Sequence, residues 1–273
     1  MFDRRYGSFV ADAAELLAAY DGQLRLNVPS RLPEGVTYER DGPLLRWHGA
    51  AGRGFVLYRD LGELEGGDLD ELIARQVRVY RERGESFEWK LHGHDRPADL
   101  PERLRAAGFV PEEQETVVIA PVAEIAGPPQ LPDGASLREV TGRAEFERIA
   151  AHEQAVWGDE HDWLPEMLDS EQTADPEGLT VVVAEAAEAI VCAAWIRFEG
   201  GTDFATLWGG ATLPEWRRRG IYRATVAHRA NLAAERGFRY LEVDASSDSR
   251  PILERLGFTP VTTTTPWVWR PPG

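Results

Sequence analysis

An internal repeat is the sequence feature that most constrains the fold of this chain. The segments FEWKLHGHDRPADLPERLRAAGFVPEEQETVVIAP and RYLEVDASSDSRPILERLGFTPVTTTTPWVW both follow one order of predicted elements: strand, polar loop, proline-bearing helix, Gly-Phe stop and β-rich tail. In each copy the Gly stands where a helix C-terminus takes a positive φ, and the Phe begins a strand. Two copies of one supersecondary unit explain the pattern. A chance match of two ordinary helix-to-strand junctions is the alternative.

The repeat divides the 273 residues into two halves. Between the halves lies AGPPQLPDGAS, whose proline and glycine content is typical of a linker. We therefore predict an N-terminal domain over residues 1–125, a linker over residues 126–134 and a C-terminal domain over residues 135–273.

The spacing of apolar residues predicts the elements of each half. In the N-terminal half it predicts a helix near residues 8–20, three strands, and a helix near residues 68–83 before the repeated unit. In the C-terminal half the order is βααβββαβαββ, with helices near residues 143–156, 164–169 and 221–236. This order indicates an α/β fold, in which a mixed, largely antiparallel sheet is flanked by helices and the C-terminal half is the complete one.

Composition restricts the classes of function. The formal net charge of -16 argues against general attraction to nucleic acid or to anionic membranes, so any bound anion needs a local site. The basic residues are almost all arginine, and Lys90 is the single lysine. The only cysteine, Cys192, lies in an apolar run typical of a buried strand and excludes a disulfide within the chain. Because charges interrupt the N-terminal segment early and no long apolar run occurs, we expect a cytoplasmic, soluble protein.

A compact cationic turn, PEWRRRGIYRA, joins a predicted strand to the helix that begins near Ile221. The first amides of a helix lack internal partners, and the helix dipole makes that end positive, so phosphate is a natural ligand there. Gly220 allows the backbone to approach such a ligand, and three arginines can add charged hydrogen bonds. The alternative is a solvated basic loop that binds nothing.

The run from Arg217 to Tyr222 resembles the Arg/Gln-x-x-Gly-x-Gly/Ala pyrophosphate loop of the GNAT superfamily of N-acetyltransferases. The later segment SSDSRPILERLGF is similar to a second GNAT motif, Asn-x-x-Ala-x-x-Leu-Tyr-x-x-x-Gly-Phe. Together the motifs and the element order cover residues 135–269. The N-terminal half resembles a reduced copy of the same fold, as in tandem members of the superfamily.

The resemblance implies an N-acetyltransferase that moves an acetyl group from acetyl-CoA to a primary amine by direct attack. A non-catalytic acyl-CoA-binding or protein-interaction module on the same fold is the alternative. The implied acceptor is a small-molecule amine or a protein N-terminus, without nucleic acid or membrane as a partner. One coenzyme site per chain is expected, because the corresponding N-terminal segment RDLGELEGGDLDE is acidic and repels phosphate.

The resemblance also assigns coenzyme-binding residues. The strand end that it places along the pantetheine arm comprises Ala211, Thr212 and Leu213. The residues that it places at the pyrophosphate loop are Arg217, Arg218, Arg219, Gly220, Ile221 and Tyr222. Ser246, which can bond to the pantetheine arm or to a loop carbonyl, and Ser249 are also expected to bind the coenzyme. Three positions depart from the family pattern: Tyr222 replaces a small residue, Ser246 replaces Asn, and Leu253 replaces the usual general-acid Tyr.

Acceptor and catalytic residues follow from residue type and position. A base must take a proton from the acceptor ammonium, and Asp244 is the first choice and Glu242 the second, since both share one face of a predicted strand. They are equally consistent with ordinary polar strand-end residues. In the loop WGDEHDW, Trp157 and Glu160 are expected to line the acceptor site, with an acidic surface loop as the alternative. No metal is expected, because His92, His94 and Asp95 rarely form a site without a further ligand.

Overall fold

In the computed structural model, residues 12–50 and 53–272 are described, and this part of the chain forms one twelve-stranded sheet with eight α-helices. The strands are β1 Thr37–Asp41, β2 Leu44–Ala50, β3 Arg53–Leu57, β4 Ser86–His92, β5 Val110–Pro111, β6 Glu115–Pro121, β7 Ala135–Val140, β8 Leu179–Ala186, β9 Ala189–Phe198, β10 Phe204–Thr212, β11 Tyr240–Ala245 and β12 Thr259–Trp269. The helices are α1 Ala13–Gln23, α2 Gly66–Arg83, α3 Leu100–Ala106, α4 Val122–Ile125, α5 Arg143–Trp157, α6 Leu164–Ala174, α7 Ile221–Glu235 and α8 Arg250–Leu256.

The sheet confirms the predicted fold class. Its strands follow the order β1-β2-β3-β4-β12-β6-β11-β10-β9-β8-β7, with β5 paired to β12. The pairs β3/β4 and β10/β11 are parallel, and the other pairs are antiparallel. Each parallel pair is joined by a crossover helix, α2 in the first half and α7 in the second.

The two halves exchange their final strands. Strand β6 comes from the N-terminal half but pairs with β11, while the last strand, β12, pairs with β4 of the N-terminal half. Strands β6 and β12 also pair with each other at the centre of the sheet. Because one sheet runs through both halves, the domain boundaries set from the sequence stay a prediction.

Most predicted helices are present, and some bounds differ. Helices α5 and α7 match their predicted positions, whereas α6 extends to Ala174 and α1 ends at Gln23. Residues 8–11 of the predicted first helix lie outside the described residues. The two strands predicted at the end of the chain are wrong, because one strand, β12, runs through a register shift between Pro260 and Thr262.

Side chains alternate along the strands, so the sheet has two faces. The back face packs against α2 in the first half and α7 in the second, as in the contacts of Val226 and Ala230 with Leu207. The front face packs against α1, α5 and α6, where Tyr20 of α1 contacts Val117. Among the described helices, none combines the length and the apolar character needed to cross a membrane.

Candidate active site

A cleft opens where β10 and β11 separate. The two strands pair in parallel only from Phe204 with Tyr240 to Thr206 with Glu242. Beyond this point residues 207–212 of β10 and 243–245 of β11 have no register with each other. We call the gap between these two segments the cleft. The cationic turn follows directly after β10, so it lies at the end of the cleft where the strands have diverged.

A β-bulge shapes the β10 side of the cleft, as the glycine pair in the sequence indicates. The pairing of β10 with β9 shifts register between Gly209 and Ala211. Gly209 and Gly210 have φ values of +66° and +95°, which L side chains rarely adopt. A Cβ atom on Gly210 would lie 2.5 Å from the Tyr222 ring, so glycine permits this ring to pack against the strand.

The cationic turn presents backbone donors. Within the described part of the chain, the amides of Arg218, Arg219 and Gly220 donate no hydrogen bond. The next three amides belong to the first turn of α7 and have no intrahelical acceptor. Gly220 caps the helix at φ +85°, and an added Cβ would meet only the Gln130 carbonyl oxygen at 3.7 Å. Exposed, unsatisfied donors at a positive helix end are suited to bind an anion.

The three arginines of the turn have different partners. Arg217 donates from Nε to the Thr212 carbonyl oxygen at 3.0 Å, which ties the turn to the end of β10. The Arg219 guanidinium lies 4.8 Å from the centre of the Trp216 ring. Arg218 takes a left-handed φ of +63° and is exposed. The turn is therefore a built structure that leaves its amides free.

The predicted pantetheine strand is partly engaged with its neighbours. The Ala211 carbonyl oxygen accepts a hydrogen bond from His152 Nε2 at 2.9 Å, and the Leu213 amide donates to the Val191 carbonyl. Alternation along the strand leaves the polar groups of Thr212 on the edge away from β9. One of these groups, its carbonyl, is the acceptor for Arg217.

Ser246 and Ser249 lie after β11 on the other side of the cleft. Their hydroxyl oxygens are 3.2 Å apart, and the Ser249 amide donates to Ser246 Oγ. Leu253, which stands at the position of the family's general-acid Tyr, is fully buried in the back-face core. No proton donor replaces it at that position.

An ion pair between the halves lies on the front face beside the cleft. Lys90 of β4 pairs through Nζ with the Asp244 carboxylate of β11, and Thr264 of β12 donates to the other Asp244 oxygen at 3.4 Å. Burial alone would lower the pKa of Lys90, but the charges of Asp244 and Glu242, with Tyr20, raise it well above its usual value. Lys90 is therefore held as a cation.

Two carboxyl groups near this pair are protonated more readily than usual. Burial and the charge of Asp244 raise the pKa of Glu242 well above its usual value. Glu242 is 4% exposed, and its Oε1 atom has no hydrogen-bond partner among the described residues. Burial, followed by the charge of Asp244, raises the pKa of Glu115 to about 7. Glu115 begins β6 and shares the front face with Asp244.

Lys90 and Glu115 are two residues that sequence reasoning did not place at this site. Both come from the N-terminal half: β6, which carries Glu115, pairs with β11, and Lys90 reaches Asp244 of β11 from β4. Glu115 carries no local signal in the sequence. Lys90 carries one, because it is the only lysine in a chain that otherwise uses arginine. A compact ammonium with a flexible stem suits a close pair with a carboxylate.

The expected acceptor residues lie around the front face. Trp157 is 57% exposed at the end of α5, where its indole N–H donates to Glu153 Oε2, and Glu160 is exposed in the following loop. Trp208, which points from β10 to the front face, is 41% exposed. The Arg197 guanidinium lies 4.7 Å from its ring centre. The sequence analysis did not select Trp208.

The histidine-rich segment after β4 holds structural contacts. Asp95 accepts hydrogen bonds from the Tyr58 hydroxyl and the His92 amide and pairs with Arg25 at 2.9 Å. Burial lowers the pKa of His92 to about 4, and its ring bonds to the Tyr20 hydroxyl. Among residues 12–50 and 53–272, no three metal-ligating side chains converge.

Comparisons with known proteins agree with this geometry. Residues 143–258 match the family model described as the acetyltransferase (GNAT) family. No curated protein matches the chain. Similar solved structures include a GCN5-related N-acetyltransferase from Kribbella flavida, with 15% identity, a TM-score of 0.65 and coverage of 96% of this chain and 95% of that one.

Two further structures are similar. A tandem GNAT protein from the clavulanic acid biosynthesis pathway has 16% identity, a TM-score of 0.61 and coverage of 88% and 85% of the two chains. A GCN5-related N-acetyltransferase from Sphaerobacter thermophilus has 14% identity, a TM-score of 0.62 and coverage of 85% and 78%. At these identities the likeness shows the fold. The chain has the GNAT fold, and its residues 143–258 match the acetyltransferase (GNAT) family model, which supports acyl-CoA-dependent acetyl transfer as its general activity.

Proposed function

We propose that this protein transfers the acetyl group of acetyl-CoA to a primary amine by direct attack. The observation that supports this function best is the set of free amides at the start of α7, beside the cleft between β10 and β11. A diphosphate bound by these amides would direct an extended thioester arm along β10. Acetyl-CoA supplies the activated acetyl group.

The residues at the turn fit the coenzyme. The amides of residues 218–222 would bind diphosphate oxygens, and the exposed Arg218 side chain, which has no ion pair among the described residues, adds charge. Thr212 offers the backbone edge for the pantetheine arm, since Ala211 and Leu213 are paired with their neighbours. Ser246 and Ser249 offer hydroxyl groups on the opposite wall.

The front face fits a cationic acceptor. Four carboxyl groups lie on this face, those of Glu88, Glu115, Glu242 and Asp244, near the Lys90 ammonium and the Arg53 guanidinium. The carboxylate forms of these groups attract an ammonium and repel a second anion. Trp157, Glu160 and the half-exposed ring of Trp208 form the outer wall in this proposal.

We assign proton acceptance to Glu115. A base with a pKa near the working pH is the most effective, and the pKa of Glu115 is about 7. The charge of Asp244 contributes to this value, and burial together with the same charge raises the pKa of Glu242 well above its usual value. In this proposal Asp244 and Glu242 therefore act on the acceptor through their electrostatic effect and not as the base.

In the proposed reaction proton transfer to Glu115 precedes acetyl transfer to the amine. The acceptor ammonium gives one proton to Glu115, and the free amine attacks the acetyl carbonyl carbon. A C–N bond forms, the C–S bond breaks, and CoA leaves as a thiolate that takes up the second amine proton. The products are an acetamide and free CoA, and no covalent bond to the protein forms.

The test combines binding and turnover. Isothermal titration of the purified protein with CoA should give one site per chain. Release of free CoA thiol from acetyl-CoA should then be measured with a panel of small primary amines and short peptides with free N-termini. Amine-dependent thiol release supports the transferase. Binding with no turnover on any amine supports the non-catalytic acyl-CoA-binding module, and absence of binding contradicts both.

A further inference from the structure

A buried arginine lies under the β-bulge of the cleft. Arg229 of α7 is 1% exposed, and its Nη1 atom donates to two backbone carbonyl oxygens, of Trp195 at 3.0 Å and Trp208 at 2.9 Å. Its Nε atom donates to the Thr225 carbonyl at 3.1 Å. All three partners are neutral. Among the described residues, no carboxylate lies within ion-pair distance of Arg229, so its charge has no counter-ion.

An uncompensated buried guanidinium is unusual. Burial lowers the pKa of Arg229, yet guanidinium groups stay protonated in proteins. Removing a charge from water is unfavourable unless partners compensate, and carbonyl dipoles compensate only in part. A chain that needed only to tie β9 to β10 could use a neutral donor. Negative charge that arises near Arg229 during the reaction would supply the missing compensation.

The position of Arg229 in the sheet is specific. Trp195 and Trp208 are directly opposite each other in β9 and β10, immediately before the register shift at Gly209. The guanidinium from α7 thus joins the two strands where the regular ladder is interrupted. It fixes the peptide group between Trp208 and Gly209.

The planar peptide bond connects this contact to the cleft. In a trans peptide the carbonyl oxygen and the amide hydrogen point in opposite directions. The Trp208 carbonyl points to Arg229, so the Gly209 N–H points to the opposite side, away from β9 and toward the cleft. A charged donor on the carbonyl polarises the peptide and makes its N–H a stronger donor.

We propose that Arg229 is a positioning residue for acetyl transfer: it aims the Gly209 N–H at the thioester oxygen, and its charge stabilises the negative charge that develops there. The inference rests on the proposed function. When the amine attacks, the C=O electron pair moves to the thioester oxygen, and it returns when the C–S bond breaks. Fixed donors and charges are most effective against such transient charge.

The kinetic test uses Arg229→Met and Arg229→Lys in the full chain, with the best amine of the panel. We expect Arg229→Met to lower kcat by about 100-fold or more, as for removal of an oxyanion donor. The KM for acetyl-CoA should stay within about three-fold, because the coenzyme turn is untouched. The kcat of Arg229→Lys should lie between those of the wild type and Arg229→Met, because lysine keeps the positive charge but not the geometry that reaches both carbonyl oxygens. The matched control is Arg236→Met, which removes the arginine at the C-terminal cap of α7, bound to the Glu177 carbonyl and not to the bulge.

A spectroscopic measurement separates this role from a purely structural one. Infrared difference spectra of acetyl-CoA labelled with ¹³C at the carbonyl should show a stretch at lower frequency in the wild-type complex than in buffer, and a smaller shift in Arg229→Lys. A wild-type complex without this shift overturns the inference, even if both variants fail to fold. A folded Arg229→Met protein with wild-type kcat also overturns it. In either case amine-dependent turnover by the wild type would still support the proposed function.

Discussion

The two halves of the molecule share a strand-to-helix connection but give it opposite charge. In the N-terminal half, β3 leads to α2 through a segment that carries Asp60, Glu63 and Glu65, and Gly66 begins the helix at φ +55°. In the C-terminal half, β10 leads to α7 through three arginines and Gly220 at φ +85°. Both helices cross over between parallel strands. The crossover helix packs on the sheet in both halves, and in the proposed function charge decides which half can hold an anion.

The halves differ in a second way, through the strands that they exchange. The N-terminal half lacks a cationic turn, yet its strands β4 and β6 carry Lys90 and Glu115 to the edge of β11. The C-terminal half contributes the cleft, Asp244 and Glu242. In the proposed function the C-terminal half binds the coenzyme, and residues of both halves form the acceptor site.

The largest expected effect comes from giving the C-terminal turn the charge of the N-terminal one. Gly220→Asp places a carboxylate beside the phosphate site, and we expect CoA affinity to fall by about 100-fold or more, from repulsion and loss of charged hydrogen bonds. Titration calorimetry measures it. Gly220→Asn is the control, because it carries a similar backbone strain without the charge. Equal affinities for the Asp and Asn variants would contradict the role of charge at this turn.

The second-largest expected effect comes from a variant that tests whether a residue of the N-terminal half acts in catalysis. Glu115→Gln removes the proposed base, and kcat/KM should fall by about 100-fold, within the usual range for general-base catalysis. Because the pKa of Glu115 is raised to about 7, its carboxylate form is present above that pH and lost below it. The wild-type rate should therefore rise with pH through about 7, and this limb should vanish in the variant. If the rate of the variant still rises with pH through about 7, the base is another residue.

Lys90→Met tests the ion pair between the halves. The change leaves Asp244 without its cation, and the free energy of unfolding should fall by about 3 kcal/mol, or on the order of 5 to 10 °C in thermal melts. Lys90 also lowers the pKa of Glu115, so its loss should move the acidic limb of the rate profile to higher pH. The double variant Lys90→Met/Asp244→Asn should recover part of the stability. Unchanged melting of Lys90→Met would show that the pair does not join the halves.

Neutralising the N-terminal connection should have the smallest effect. In the triple variant Asp60→Asn, Glu63→Gln, Glu65→Gln we expect CoA to bind at one site with affinity within about two-fold of the wild type, because screened charges outside the site contribute little. A second site appearing in calorimetry would mean that acidity alone had kept the N-terminal half from binding CoA.

Local signals in the sequence predicted the parts of the site that neighbouring residues form. The helix start near Ile221 depends on a few adjacent residues and is present, and Gly220 before it takes the positive φ that glycine permits. Buried Cys192 follows equally from its apolar run.

The parts that the sequence did not predict depend on pairing between distant strands. Nothing near Glu115 indicates that β6 lies beside β11, because strand pairing is decided by packing over the whole sheet. The same pairing supplies Lys90 to Asp244 and raises the pKa of Glu115. From the sequence, Arg229 is one residue of a predicted helix, because burial under a bulge leaves no pattern in the neighbouring residues.

A crystal structure of the protein with CoA tests the central proposal most directly, that the free amides at the start of α7 bind the coenzyme diphosphate. We predict diphosphate oxygens about 2.7–3.2 Å from the amide nitrogens of residues 218–222, with the thiol in the cleft between β10 and β11. Diphosphate density at any other place on the chain, with these amides left to solvent, would contradict the account.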